Sequence, residues 1–103
     1  MSEIYVHAAL KVRIGGYEKF AEAMAKQVPV LESYGWKMEG AWVTTLGRVY
    51  SVFHVWRLPD ANSFHEATAK WRETEAFQEF RAVTSEVLEE EVLSMVRKTP
   101  YSP

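Results

Sequence analysis

The chain has no cysteine, and that single absence removes disulfides, cysteine-ligated zinc, iron–sulfur clusters and thiol catalysis together. It also has no long apolar run, and the opening MSEIYVHAAL lacks the basic start and apolar centre of a secretory leader. A cytoplasmic protein with no membrane span is the expectation. No basic block occurs either: 12 basic residues stand against 14 acidic ones, so nucleic acid is excluded as a partner for want of an electrostatic footprint. Glu89-Glu90-Glu91 forms the one charge run and is expected in a solvated loop or helix end. No phosphate-binding loop, dinucleotide fingerprint, nucleophile elbow or metalloprotease motif is present.

What remains is a chain of 103 residues, 48% apolar and 14% aromatic, enough for one globular domain spanning 1–103 around a modest core. Its centre is Trp36 to Arg57. Val, Thr, Tyr, Phe and Trp suit a pleated surface, and Leu46-Gly47-Arg48 is expected to be the three-residue turn of a hairpin, with Gly47 supplying a positive φ. Both registers of the second strand are apolar: Val49, Ser51, Phe53 and Val55 on one side, and Tyr50, Val52, His54 and Trp56 on the other.

Around that hairpin the periodicity is clear. Ile4 to Ile14 alternates as a first strand, with Ile4, Val6, Ala8, Leu10 and Val12 on its aliphatic face. Tyr17, Phe20, Ala21, Met24 and Val28 repeat at helical spacing, Pro29 is expected to kink or restart the helix, and a last turn reaches Ser33 before Gly35. In the hairpin's first strand Trp36, Met38, Gly40, Trp42 and Thr44 share a side, and Gly40 marks a bulge or a close approach. Asp60 and Thr74 are N-cap candidates for two helices, or one broken helix, between Ala61 and Val87. Val92, Leu93, Met95 and Val96 read as a last strand.

The order β-α-β-β-α-β predicts an α+β, ferredoxin-like fold: a four-stranded antiparallel sheet with its helices on one face. Phe53 and Val55 are expected to face the helices. The opposite face then shows Tyr5, His7, Tyr50, His54 and Trp56 with Met38, Trp42 and Thr44. Leaving those aromatics in water forfeits about 1.5–3 kcal/mol per side chain, and a two-fold homodimer, sheet against sheet, recovers it.

With these residues in view, the chain resembles the NIPSNAP family of dimeric α+β barrel proteins. Gly35-Trp36-Lys37 leading to Gly40-Ala41-Trp42, Gly47 at the turn, His54-Val55-Trp56-Arg57 and the ending Pro100-Tyr101-Ser102-Pro103 carry the likeness, together with Ile4-Tyr5 and Gly15-Gly16. Members often place Glu-Leu-Arg after the opening Tyr, where this chain has Val6-His7-Ala8. The resemblance implies the barrel dimer. Its wider superfamily includes cofactor-free monooxygenases, lactone isomerases, haem-degrading enzymes and proteins without known chemistry, so fold alone does not choose among them.

Candidate chemistry rests on His54, His7 and Tyr5 as acid, base or hydrogen-bond donor, and on Trp42, Thr44, Tyr50, Trp56 and Met38 as ligand-binding groups between the sheets. The bland alternative makes the histidines structural and the aromatics plain dimer packing. Two histidines without a carboxylate are an incomplete ligand set, so neither metal nor cofactor is expected. Two functions remain open. One is a homodimer that binds a small apolar or aromatic metabolite and transforms it by monooxygenase- or isomerase-like acid/base chemistry; the other is a non-catalytic interaction or dimerisation module.

Overall fold

The computed structural model describes residues 3–103; Met1 and Ser2, which open the stretch read for a leader, lie outside them. Strand β1 (Ile4–Val12) leads through Gly15, whose φ is 86°, into helix α1 (Tyr17–Ser33). Strands β2 (Lys37–Val43) and β3 (Ser51–Leu58) follow, then helices α2 (Asn62–Arg72) and α3 (Glu75–Val87), then strand β4 (Leu88–Val96). The sheet order is β2-β3-β1-β4, with every neighbouring pair antiparallel. This is the expected ferredoxin-like arrangement, with the second crossover built from two helices.

Local chemistry explains most boundaries. Thr74 Oγ1 accepts from Phe77 N at 3.0 Å and so starts α3, while Asp60 Oδ1 accepts from Ser63 N at 2.9 Å and steadies the entry to α2. Pro29 does not break α1, which runs on to Ser33 and buries Leu31 in its last turns. Burial of Leu31 against Trp36 and Trp56 outweighs the one backbone bond that proline forgoes.

Three sequence expectations need correction. The hairpin connection is seven residues, 44–50, instead of three; Gly47 has φ 112°, and Tyr50 adopts φ 68° as well. A left-handed tyrosine is strained. It is held by its own carbonyl, which accepts from Val12 N at 2.8 Å and ties the connection to the end of β1. The acidic run also lies elsewhere than expected: Glu89, Glu90 and Glu91 belong to β4, an edge strand, where charge discourages pairing with a further chain.

The third correction concerns the faces of β3. Val52, His54, Trp56 and Leu58 point toward the helices and are buried, whereas Phe53 and Val55 lie on the opposite face. Register with β1 settles this, because Val6 pairs with Trp56, Ala8 with His54 and Leu10 with Val52, and directly paired residues share a side. In β2 the phase changes at an irregularity between Met38 and Gly40. Met38 pairs with Trp56 and faces inward; beyond the bulge Trp42 pairs with Phe53 and faces outward. A Cβ on residue 40 would meet the Trp42 ring, so any larger residue there would push that exposed indole aside.

The core divides into two clusters under the helices. One gathers Val6, Leu31, Trp36, Trp56, Leu58 and Ala67; the other gathers Ala8, Leu10, Val12, Phe20, Val52 and Val87. His54 lies on the same face, its ring stacked on Phe20 with centroids 6.2 Å apart.

Candidate functional site

The residues singled out from the sequence do not share one face. His54 is buried on the helix side, at 4% exposure. His7 pairs with Val55 and Tyr5 with Arg57, so both occupy the outer face, where His7 leans on Phe53 at 5.9 Å and the Lys98 ammonium lies 5.9 Å above the Tyr5 ring. The sheet separates them from His54, and no site combines the three. Trp56 packs edge-on against Trp36 at 5.6 Å inside the core, so it is not part of an outer aromatic cage. Tyr50 and Thr44 lie in the hairpin connection, with Thr44 N donating to Ser51 O at 2.9 Å.

What the structure does bring together is His54 and Met38, at a cleft of about 250 Å³ between α1 and the β2–β3 side of the sheet; Trp42 borders the cleft only where β2 forms the edge, since its register puts it with Phe53 on the outer face. Helix α1 contributes Tyr17, Phe20, Met24 and Val28; the strands contribute Met38, Val43, Val52 and His54. The α1 stripe comes from helical spacing. The strand residues come from the inward register of β3 and the bulge in β2, which lets Met38, Ala41 and Val43 all border the cleft.

The state of His54 is the distinctive feature of this cleft. Among the described residues three polar side chains are buried: Gln27, His54 and Ser63. Gln27 donates to Ala23 O at 3.3 Å and accepts from Trp71 Nε1 at 2.9 Å, and Ser63 Oγ donates to Asp60 Oδ1 at 3.1 Å. His54 makes no such bond to another described residue. Nor, among the described residues, is any polar side-chain atom both sealed from solvent and unpartnered. The imidazole nitrogens therefore keep some accessible surface, and the ring lines both the cleft and the smaller gap beside it. Burial lowers the pKa of His54 below its ordinary 6.5, because desolvation penalises the charged ring. At neutral pH the ring is uncharged, with one N–H and one free lone pair.

Sequence reading passed over Tyr17 and Phe20 as site residues. Tyr17 brings the one hydroxyl to the cleft lining, and Phe20 stacks on the histidine. Their place on the α1 stripe was visible; which strand residues they would meet was not, because that depended on the β3 register. No group of three or more His, Cys, Asp or Glu side chains among the described residues is placed to hold a metal ion. No described helix is long and apolar enough to cross a membrane.

The NIPSNAP family model matches residues 5–103. The chain belongs to the NIPSNAP family. Its fold is shared by a NIPSNAP-like domain protein of Burkholderia xenovorans, 22% identical, with a TM-score of 0.81 over 98% of this chain and 89% of that one. A NIPSNAP family protein of Agrobacterium tumefaciens, also 22% identical, gives 0.84 over 99% and 98%. A candidate antibiotic biosynthesis monooxygenase of Bacteroides thetaiotaomicron, 12% identical, gives 0.68 over 99% and 92%. No curated protein matches. At these identities the solved structures establish the NIPSNAP fold, and the chemistry has to come from the cleft itself.

Proposed function

We propose that the protein is a homodimeric α+β barrel that holds a small apolar or aromatic molecule in the α1 cleft, with His54 as proton acceptor in cofactor-independent chemistry. The observation that carries this is an uncharged, buried histidine that has no hydrogen-bond partner among the described residues and lines an open apolar cleft. A cavity of about 150 Å³ is known to accept benzene, so the larger volume here suits a substituted single ring. His54 takes a proton from a carbon acid or phenol and becomes imidazolium; the electron pair stays on the substrate, and the Tyr17 hydroxyl on the cleft lining is the donor available to a developing oxyanion. Returning the proton to another atom of the substrate completes an isomerisation. In the monooxygenase variant the deprotonated phenol is itself the reductant of molecular oxygen, one oxygen atom entering the ring to give a quinone and the other leaving as water, in keeping with the name of the Bacteroides relative.

The dimer is supported by the outer sheet face. Trp42, Phe53, Val55, Val92 and Val96 lie there, with Trp42 57% exposed and Val92 51% exposed, while Lys11, Glu39, Arg57 and Glu90 stand toward the margins. An apolar centre with a charged rim is the anatomy of a protein interface, and an isologous contact needs only this one patch.

The test is a panel of phenols and quinols titrated against the full chain, followed by oxygen consumption and by exchange of substrate C–H with deuterated water. Binding that Met24→Trp abolishes by filling the cleft, together with turnover lost in His54→Gln, is the expected result. Binding without turnover, unaffected by His54→Gln, would favour the non-catalytic module that the broad outer face also suits. Absence of binding across the panel would overturn the site.

A further inference from the structure

A gap of about 80 Å³ between helices and sheet adjoins the α1 cleft, with Phe20, Met24 and His54 on the lining of both. On its other side the gap shares Phe64, Trp71, Phe80 and Leu93, and also the Thr68 and Glu91 positions, with a groove of about 490 Å³ between the α2–α3 pair and β4. The helix side of β4 is poorly covered there. Leu93 and Met95 are 46% and 48% exposed, although their partners on β1, Ala8 and Val6, are buried.

The groove has a charge pattern that the α1 cleft lacks. Arg72 from α2 and Arg81 from α3 both line it, and neither forms an ion pair with a described acidic side chain. Glu91 is the one carboxylate on its lining, so two guanidinium groups face one negative charge. Four aromatic rings, Phe64, Trp71, Phe77 and Phe80, supply most of its apolar lining, and Thr68, Gln78 and Thr84 add neutral polar groups.

We propose that the helix–sheet interface is one continuous site for an amphiphilic carboxylate, whose head pairs with Arg72 and Arg81 and whose apolar chain runs over the aromatic rings to His54. The guanidinium fork matches a carboxylate in two hydrogen bonds, which a hydroxyl head cannot reproduce. The narrow middle section suits a flexible chain and not a ring, so any ring or acidic C–H belongs at the tail end, beside His54. This rests on the reading of the α1 cleft as a ligand site in placing the tail there; the head group stands on the groove alone.

Dodecanoate and dodecanol, each below its aggregation concentration, distinguish the parts. Dodecanoate is expected to bind the full chain and to shift the His54 side-chain NMR resonances while leaving those of His7, on the opposite face of the sheet, unmoved. The double variant Arg72→Ala/Arg81→Ala, both at exposed positions, is expected to weaken dodecanoate about tenfold or more and dodecanol hardly at all. Leu93→Trp, which obstructs the passage from β4, should abolish the His54 shift. Equal affinity for acid and alcohol, indifference to the double variant, or dodecanoate binding without a His54 response would each overturn the continuous carboxylate site. So would phenol binding in the α1 cleft with no dodecanoate binding, and that outcome would leave the smaller-ligand reading standing. Arginine-dependent dodecanoate binding with a His54 response but no phenol binding would do the reverse.

Discussion

The two faces of β3 are nearly matched in apolar content but differ in fate. Val52, His54, Trp56 and Leu58 are buried beneath helices of the same chain, whereas Phe53 and Val55, one residue out of phase, stay half-exposed on the sheet's other side. Hydrophobicity did not choose between them. Cross-strand register did, because β1 offers Val6, Ala8 and Leu10 on one side and Tyr5, His7 and Lys11 on the other. The inner face then acquired the only buried histidine, and the outer face acquired the apolar surface that the proposed dimer would cover.

The sharpest way to break this comparison is to truncate one aromatic on each face. Trp56→Ala should destabilise the fold by about 3–5 kcal/mol, independent of protein concentration, since it empties the centre of a core cluster. Phe53→Lys should leave the monomer's unfolding nearly unchanged and instead prevent association, giving a folded species of 11.9 kDa by sedimentation. If Phe53→Lys unfolded the monomer, or if wild type sedimented as a monomer, the outer face would not be a dimer interface.

The histidines provide the next contrast. His54 has a folded pKa below 6.5, so between that folded value and 6.5 the unfolded chain binds more protons than the native one. The stability due to keeping His54 neutral is complete above pH 6.5 and is lost as pH falls through the depressed folded value. His54→Gln should therefore flatten the fall in Tm below pH 6.5 relative to wild type, a difference readable by parallel thermal melts. His7→Gln, on the outer face, should leave that limb as steep as in wild type. A His54→Gln melt series parallel to wild type through the acid range would mean that the ring is as well solvated as in a peptide.

Much of the fold was legible before any coordinates. Strand β1, the α1 stripe, the Thr74 cap and the Asp60 turn follow from period and capping chemistry that act within a few residues. The site was less legible, for the same reason in reverse: which face of β3 meets the helices depends on partners far away in sequence. One local cue did exist. Carried to the strand's end, the even series closes with Leu58, and the odd series runs from Ser51 to Arg57, so charge marked the outer face more reliably than aromatic content. In β2 Gly40 was rightly suspect, yet a bulge reverses every position beyond it, and so Met38 and Trp42 parted company. The uncovered helix side of β4 could not be read at all, because it depends on how far α2 and α3 lean across the sheet.

Arg57 allows the smallest and most discriminating test of that cue. Its guanidinium sits 3.0 Å from Glu39 and 3.6 Å from Glu3, with the Arg57 and Glu39 side chains each 35% exposed. Partly solvated pairs of this kind are worth little, under about 1 kcal/mol, because water screens them and two long side chains must be held still. Arg57→Leu should therefore lower the urea midpoint only slightly, and Glu39→Gln should add almost nothing to it, as expected for two ends of one bond. What Arg57→Leu removes is the charge that distinguishes the two series of β3, so that both series end in an aliphatic side chain and Leu58 loses its advantage in competing for the core. If the loss stays small and the His54 resonances keep their positions, the β1 register alone is sufficient to orient the strand. A loss of several kcal/mol accompanied by displaced His54 signals would instead show that the charge at the strand's end helps to decide which face becomes the site.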